Sequence, residues 1–96
     1  MKQLLGIDIG TSACKVAVFD ENGKVLAQTN EPYKVYYPNP GWAEQDADEW
    51  WDAMCSTTNM LFTKTDIKPY QISGISFCSQ MQGLVLVDKD CNALRR

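Results

Sequence analysis

The run Leu4-Leu5-Gly6-Ile7-Asp8-Ile9-Gly10-Thr11-Ser12 places a carboxylate inside a stretch that otherwise reads as a buried strand. Burying an unpaired ion costs roughly several kcal/mol. Asp8 therefore belongs at an exposed end of the strand or opposite a cation. A glycine and two small hydroxyl residues follow, and a second apolar run begins directly, with Lys15 inside it. That order suits a tight strand-to-strand turn. Backbone N–H groups and hydroxyls of such a turn can face phosphate, with Asp8 available to magnesium.

The rest of the chain reads as alternating elements. Leu4 to Ile9 is expected as a first strand and Cys14 to Phe19 as a second. Asp20-Glu21-Asn22-Gly23 is a turn, Asn-Gly being a strong hairpin signal. Lys24 to Thr29 makes a third strand, so the first three form an antiparallel meander. Glu31 to Glu44 has no clear period; three prolines restrict it, and four aromatic residues suit it either to wrapping the core or to lining a cleft. Asp46 caps a helix from about Ala47 to Lys64, with Glu49 placed for a capping box. Trp50, Met54, Thr57 and Leu61 form its apolar stripe, flanked by Trp51, Cys55 and Thr58, and this spacing is that of core packing. Ile72 to Cys78 is the next apolar run. A helix between strands predicts a right-handed crossover and parallel pairing. Leu84 to Val87 is expected as a further hairpin strand. The chain stops where a partner for it should be completed, so the reading is of a truncated piece of a larger fold.

Ninety-six residues supply one modest core. The net charge of −3 and a pI near 4.7 argue against nucleic acid as a partner. No apolar run is long enough to span a membrane, and no leader pattern is visible, which makes the cytoplasm the expected location. Cys14, Cys55, Cys78 and Cys91 form no CxxC pair, and there is no histidine, which argues against zinc binding and removes His-dependent nucleophilic catalysis from this chain. Cys14 and Cys78 lie in apolar runs and read as buried thiols.

Two constellations carry chemistry. In the first, Gly10 lets phosphate approach closely, Thr11 and Ser12 donate hydrogen bonds, Lys15 adds positive charge, and Asp8 holds a metal directly or through water. The same residues also suit a plain polar hairpin with a charged rim. The spacing matches neither GxxxxGK[ST] nor GxGxxG, and such a turn works without a helix dipole. In the second, Ser79-Gln80-Met81-Gln82-Gly83 follows a strand expected to be parallel, where ligands commonly sit. Gln80 and Gln82 offer amides suited to hydroxyls and Met81 a soft apolar wall. An ordinary polar loop is the competing reading. Glu44, Gln45 and Asp46 could also face a polyol.

Taken in order, these residues resemble the N-terminal part of the FGGY carbohydrate kinases, most closely xylulokinase-like and gluconokinase-like members. Gly6 to Ser12 with Lys15 looks like the family's first phosphate motif. Pro40-Gly41-Trp42-Ala43-Glu44-Gln45-Asp46 with Trp50-Trp51 looks like its approach to the first helix. Ile75 to Gly83, running to Asp88, looks like its sugar-side loop. The resemblance implies an α/β, ribonuclease H-like (actin-like ATPase) domain, with residues 1–96 as the N-terminal part of the first, sugar-side domain. It implies ATP and Mg2+ as cofactors and phosphoryl transfer to a sugar or polyol hydroxyl. Asp8 matches the metal-associated Asp; Gly10, Thr11, Ser12 and Lys15 match the phosphate-facing positions; Gln80, Met81 and Gln82 match the sugar side. Gln82 stands where many xylulokinase-like members carry histidine, so it can bond a hydroxyl but bears no charge. The family's catalytic base falls beyond Arg96, which leaves no catalytic residue within the chain and predicts that it is inactive alone. The alternatives are an actin-like nucleotide switch, a non-catalytic interaction domain, and a nuclease of the same broad fold, which would want more carboxylates near Asp8. A missing sheet neighbour would also leave an edge open to homodimer formation.

Overall fold

The computed structural model describes residues 2–81 and 83–96. Four strands form one mixed sheet: β1 (Gln3–Ile9), β2 (Ala13–Asp20), β3 (Val25–Pro32) and β4 (Ile72–Ser79), in the order β3-β2-β1-β4. β1 runs antiparallel to β2 and parallel to β4, and β2 runs antiparallel to β3. The meander and the parallel fourth strand are thus as the sequence predicts. The connecting helix α1 spans Ala47–Lys64, on the expected boundaries.

Alternation along β1 and β2 separates two faces. Leu5 pairs with Val18, Ile7 with Val16 and Ile9 with Cys14. Leu5, Ile7, Cys14, Val16 and Val18 are all buried, and with Ala53 and Leu61 of α1 they make the core. The intervening positions Gly6, Asp8, Lys15 and Ala17 face away from α1, as the period of two requires. β3 extends past Thr29 to Pro32. Its last residues are too polar to announce a strand, and Pro32 is tolerated because β3 is an edge. Gly23 has φ +85°, and the Asp20 carboxylate accepts from the Asn22 and Lys24 amides at 2.9 Å each, closing the β2–β3 turn.

The buried residues of α1 are Ala53, Thr57 and Leu61, four apart; Thr57 and Leu61 belong to the expected stripe, Ala53 lies outside it, and Trp50 and Met54 are only half-buried. Trp51 is exposed. Thr57 is the one polar residue the helix fully buries. Thr29 Oγ1 donates to its carbonyl and accepts from its hydroxyl, both at 2.8 Å, so each polar atom is satisfied. Asp46 caps α1 by accepting from the Asp48 amide at 2.9 Å. The expected capping box does not close, because Glu49 instead accepts the phenol proton of Tyr36.

Two further expectations change. Cys78 is exposed, not buried, because it pairs with Asp8 and lies on the face turned away from α1; Ile75 and Phe77, which pair with Leu5 and Ile7 on the α1 face, are exposed because α1 packs on β2 and β3 and leaves β4 uncovered. Leu84 to Val87 joins no sheet. It makes a small hairpin held by one Val87–Ala93 bridge and by the Leu94 amide donating to the Leu86 carbonyl at 2.8 Å. Among the described residues no helix is long and apolar enough to cross a membrane.

Replacing Leu61, which is fully buried, with Ala is expected to cost about 2–5 kcal/mol. Urea unfolding would show this as a lowered midpoint at unchanged slope. A loss under about 1 kcal/mol would mean that the α1–sheet contact does not carry the core.

Candidate functional site

Asp8 lies on the open face of the sheet, directly opposite Lys15 on β2. Lys15 in turn pairs with Asn30 on β3, and Asp8 with Cys78 on β4. Asn30, Lys15, Asp8 and Cys78 therefore form one row across four strands. A cavity of about 650 Å³ lies along this face, bounded by Gly6, Asp8, Lys15, Gln28, Asn30 and Ser76 among others. Both charged side chains are exposed, and no ion pair joins them among the described residues. Asp8 is therefore on the solvent side of its strand, as a carboxylate in an apolar run must be.

The row ends at the β1–β2 turn. Gly10 donates its amide to the Ala13 carbonyl at 3.0 Å, and Thr11 and Ser12 stand exposed at the tip. A Cβ on Gly10 would come within 3.2 Å of that carbonyl and 4.0 Å of Asp8 Oδ1. Glycine thus spares its own hairpin a crowded contact. The same proximity places the Asp8 carboxylate beside the turn.

The carbonyls of the turn are all engaged. Tyr33, just past β3, donates its phenol proton to the Gly10 carbonyl and to that of Ala13, the latter at 3.1 Å. Its amide donates to the Ser12 carbonyl at 3.2 Å. Gln45 donates Nε2 to the Thr11 carbonyl at 2.5 Å. Among the described residues the Thr11 and Ser12 amides have no protein acceptor. A turn whose carbonyls are held back and whose amides are free has the polarity of an anion cradle. Burial pushes the Tyr33 phenol up, helped by the Cys14 thiol and the Asp8 carboxylate, so it stays protonated and donating. Cys14, fully buried below the turn, is pushed up by the same burial and by Asp8.

Beside the turn lies the second constellation. The Gln80 amide donates to the Ile9 carbonyl at 2.9 Å, extending the β1–β4 ladder by one residue. Its side-chain Nε2 donates to Gln45 Oε1 at 3.0 Å, and Trp50 Nε1 donates to the same oxygen at 3.0 Å. A cleft of about 390 Å³ runs here between Thr11, Gln45, Trp50, Gln80 and the terminal arginines. The structure brings Gln80 to this cleft. Met81 is 87% exposed, and Gln82 lies outside the described residues. Glu44 is taken by Arg95 and, at 3.8 Å, by Arg96, whose guanidinium stacks 4.0 Å from the Tyr36 ring.

Tyr33 was not marked as a site residue by the sequence. The available signal was an aromatic with a polar tip at a strand end, which needs a partner when packed. For metal binding, no cluster of three or more Asp, Glu or Cys side chains forms among the described residues. One exposed carboxylate beside a turn with two free amides would suit only an ion that keeps most of its waters, as Mg2+ does.

An antiparallel meander, a crossover helix and a parallel strand returning beside β1 define the opening of an actin-like ATPase fold. The family model for the N-terminal domain of the FGGY family of carbohydrate kinases matches residues 3–96. The chain belongs to that family. It is 42% identical over 93 residues to a xylulose kinase of Staphylococcus epidermidis, covering 97% of this chain and 19% of the relative. It is 40% identical over 88 residues to a glycerol kinase of Pediococcus pentosaceus, covering 92% of this chain and 18% of the relative. Among solved structures, a xyloylose kinase from Brucella ovis superposes with a TM-score of 0.91 at 32% identity, over 97% of this chain and 20% of that one. The chain thus spans about a fifth of the length of the relatives it matches.

Two outcomes test the geometry. Tyr33→Phe removes both phenol hydrogen bonds and is expected to cost about 0.5–3 kcal/mol in unfolding experiments, with faster amide exchange at Gly10. Unchanged exchange would show that the turn does not depend on the phenol. Iodoacetamide at pH 8 is expected to label exposed Cys78 and Cys91 and to spare Cys14, which stays protonated and enclosed. Labelling of Cys14 at the same rate, read by peptide mass spectrometry, would contradict the burial.

Proposed function

We propose that the protein to which these residues belong transfers the γ-phosphoryl group of ATP to a hydroxyl of a sugar or polyol. Residues 1–96 form the N-terminal part of its first, sugar-side domain. One observation carries the reading: a turn with all four carbonyls tied back stands beside an Asp and a Lys that share a row but do not neutralise each other. Membership of a carbohydrate kinase family and relatives named xylulose kinase and glycerol kinase support it.

In this reading Thr11 and Ser12 offer their amides and hydroxyls to phosphate oxygens, and Gly10 keeps the turn tight. Lys15 supplies positive charge toward the same oxygens. Asp8 would hold Mg2+ largely through water, and the ion when bound neutralises charge on the phosphates. Gln80, Met81 and Gln82 form the acceptor side. Gln80, having spent its Nε2 on Gln45, retains an acceptor oxygen for a substrate hydroxyl. A cytoplasmic location goes with the need for ATP.

Positioning and exclusion of water dominate phosphoryl transfer, and this chain supplies one wall of a cleft. The 96 residues alone are expected to show no turnover. The full-length protein is expected to phosphorylate at least one of D-xylulose, glycerol and gluconate in an ATP- and magnesium-dependent coupled assay. Asp8→Asn in that protein is expected to lower kcat/KM by about 100-fold or more, the scale of a lost transition-state charge partner. Absence of turnover with all three acceptors, or full activity of Asp8→Asn, would defeat the proposal.

A further inference from the structure

Gln45 touches three separate elements at once. Its Nε2 reaches the Thr11 carbonyl of the β1–β2 turn, and its Oε1 receives Trp50 of α1 and Gln80 beyond β4. The orientation of this amide is not free. The indole N–H of Trp50 can only donate, and a backbone carbonyl can only accept. Turning the amide over would set donor against donor at Trp50 and acceptor against acceptor at Thr11. Two groups of fixed polarity therefore decide which end of Gln45 faces which element. The same choice decides Gln80, which must present its Nε2 to Gln45 and turn its own oxygen elsewhere.

The geometry points to Gln45 as a positioning residue that joins the phosphate-facing turn to the acceptor loop, so that binding at one strengthens binding at the other. This rests on the functional reading above for the identity of the two ligands, and on the hydrogen bonds alone for the link. Trp50 acts as the fixed donor that holds the amide one way round. Neither residue needs to touch a substrate for the effect. An acceptor that orders Gln80 orders Gln45, and Gln45 then holds the Thr11 carbonyl back and leaves the turn amides facing phosphate.

The test uses the full-length protein, a non-hydrolysable ATP analogue with magnesium, and whichever of D-xylulose, glycerol or gluconate turns over. Calorimetry gives the analogue's Kd with and without saturating acceptor, and the ratio is the coupling factor. In the wild type this ratio is expected to exceed one. Gln45→Met removes all three bonds, and Gln45→Glu keeps the acceptor end while losing the donor to Thr11. Both are expected to lower the ratio by roughly 2- to 30-fold, with far less change in Kd when the acceptor is absent. A wild-type ratio of one, or an equal loss of affinity with and without acceptor, would overturn the proposal, the latter marking a merely structural role.

A second measurement is independent of any ligand. Hydrogen exchange at the Gly10 and Gln80 amides, each in a backbone bond, is expected to quicken together in Gln45→Met. Quickening at only one of them, or at neither, would also overturn the link. If no acceptor turns over, the functional reading falls while the exchange result still decides Gln45.

Discussion

The pairing of β1 with β2 fixes everything else about this sheet. In its register Ile7 meets Val16 on one face while Asp8 meets Lys15 on the other. A slip of one residue would carry the two charges under α1 and the core residues into solvent. The apolar residues pay for the register, and the charges inherit their position from it. An exposed Asp–Lys neighbourhood contributes only ~0–1 kcal/mol to stability, so packing, and not attraction between them, sets where they stand.

The polarity of the adjoining turn follows from how it is anchored. Helix N-terminal phosphate sites draw on aligned peptide dipoles, and no helix begins here. Instead, Tyr33 and Gln45 occupy the carbonyl side of Gly10, Thr11, Ser12 and Ala13. A peptide whose oxygen is fixed has its N–H fixed on the opposite side. Local anchoring thus does for this turn what the macrodipole does elsewhere, and it uses side chains from segments far away in sequence.

Strand and helix periods made the meander, the boundaries of α1 and the parallel return of β4 legible before the structure. So was the gathering of Asp8, Lys15 and the turn, since a carboxylate in an apolar run admits few placements. What the sequence hid were relations between segments. Tyr33 reads as one aromatic in an aperiodic stretch, and only the fold shows that it lies beneath residues 10–13. Ala53 is too small to mark a helix face, although it is buried with Thr57 and Leu61, while the larger Trp50 of the expected stripe is only half-buried. Cys14 shares the α1 face with Ile9 whereas Cys78 shares the open face with Asp8, and on β4 even Ile75 and Phe77, which point to the α1 side, stand exposed with no helix over them. Hydrophobic pattern reports a preference for burial; it does not report whether a covering element is present.

Tyr33 and Gln45 hold the same turn but have different reach. All the bonds of Tyr33 fall within the meander, between the β1–β2 turn and the end of β3. Its effect is therefore to stiffen one unit. Gln45 spans the turn, the first helical turn of α1 and the residue after β4, which are linked only through the sheet and a long connection. A local clamp raises the rigidity of a site, whereas a bond network shared by separately movable parts makes the state of one depend on the state of another. That difference in reach, and not the strength of any single hydrogen bond, is why communication between the two clefts is assigned to the glutamine and rigidity of the turn to the tyrosine.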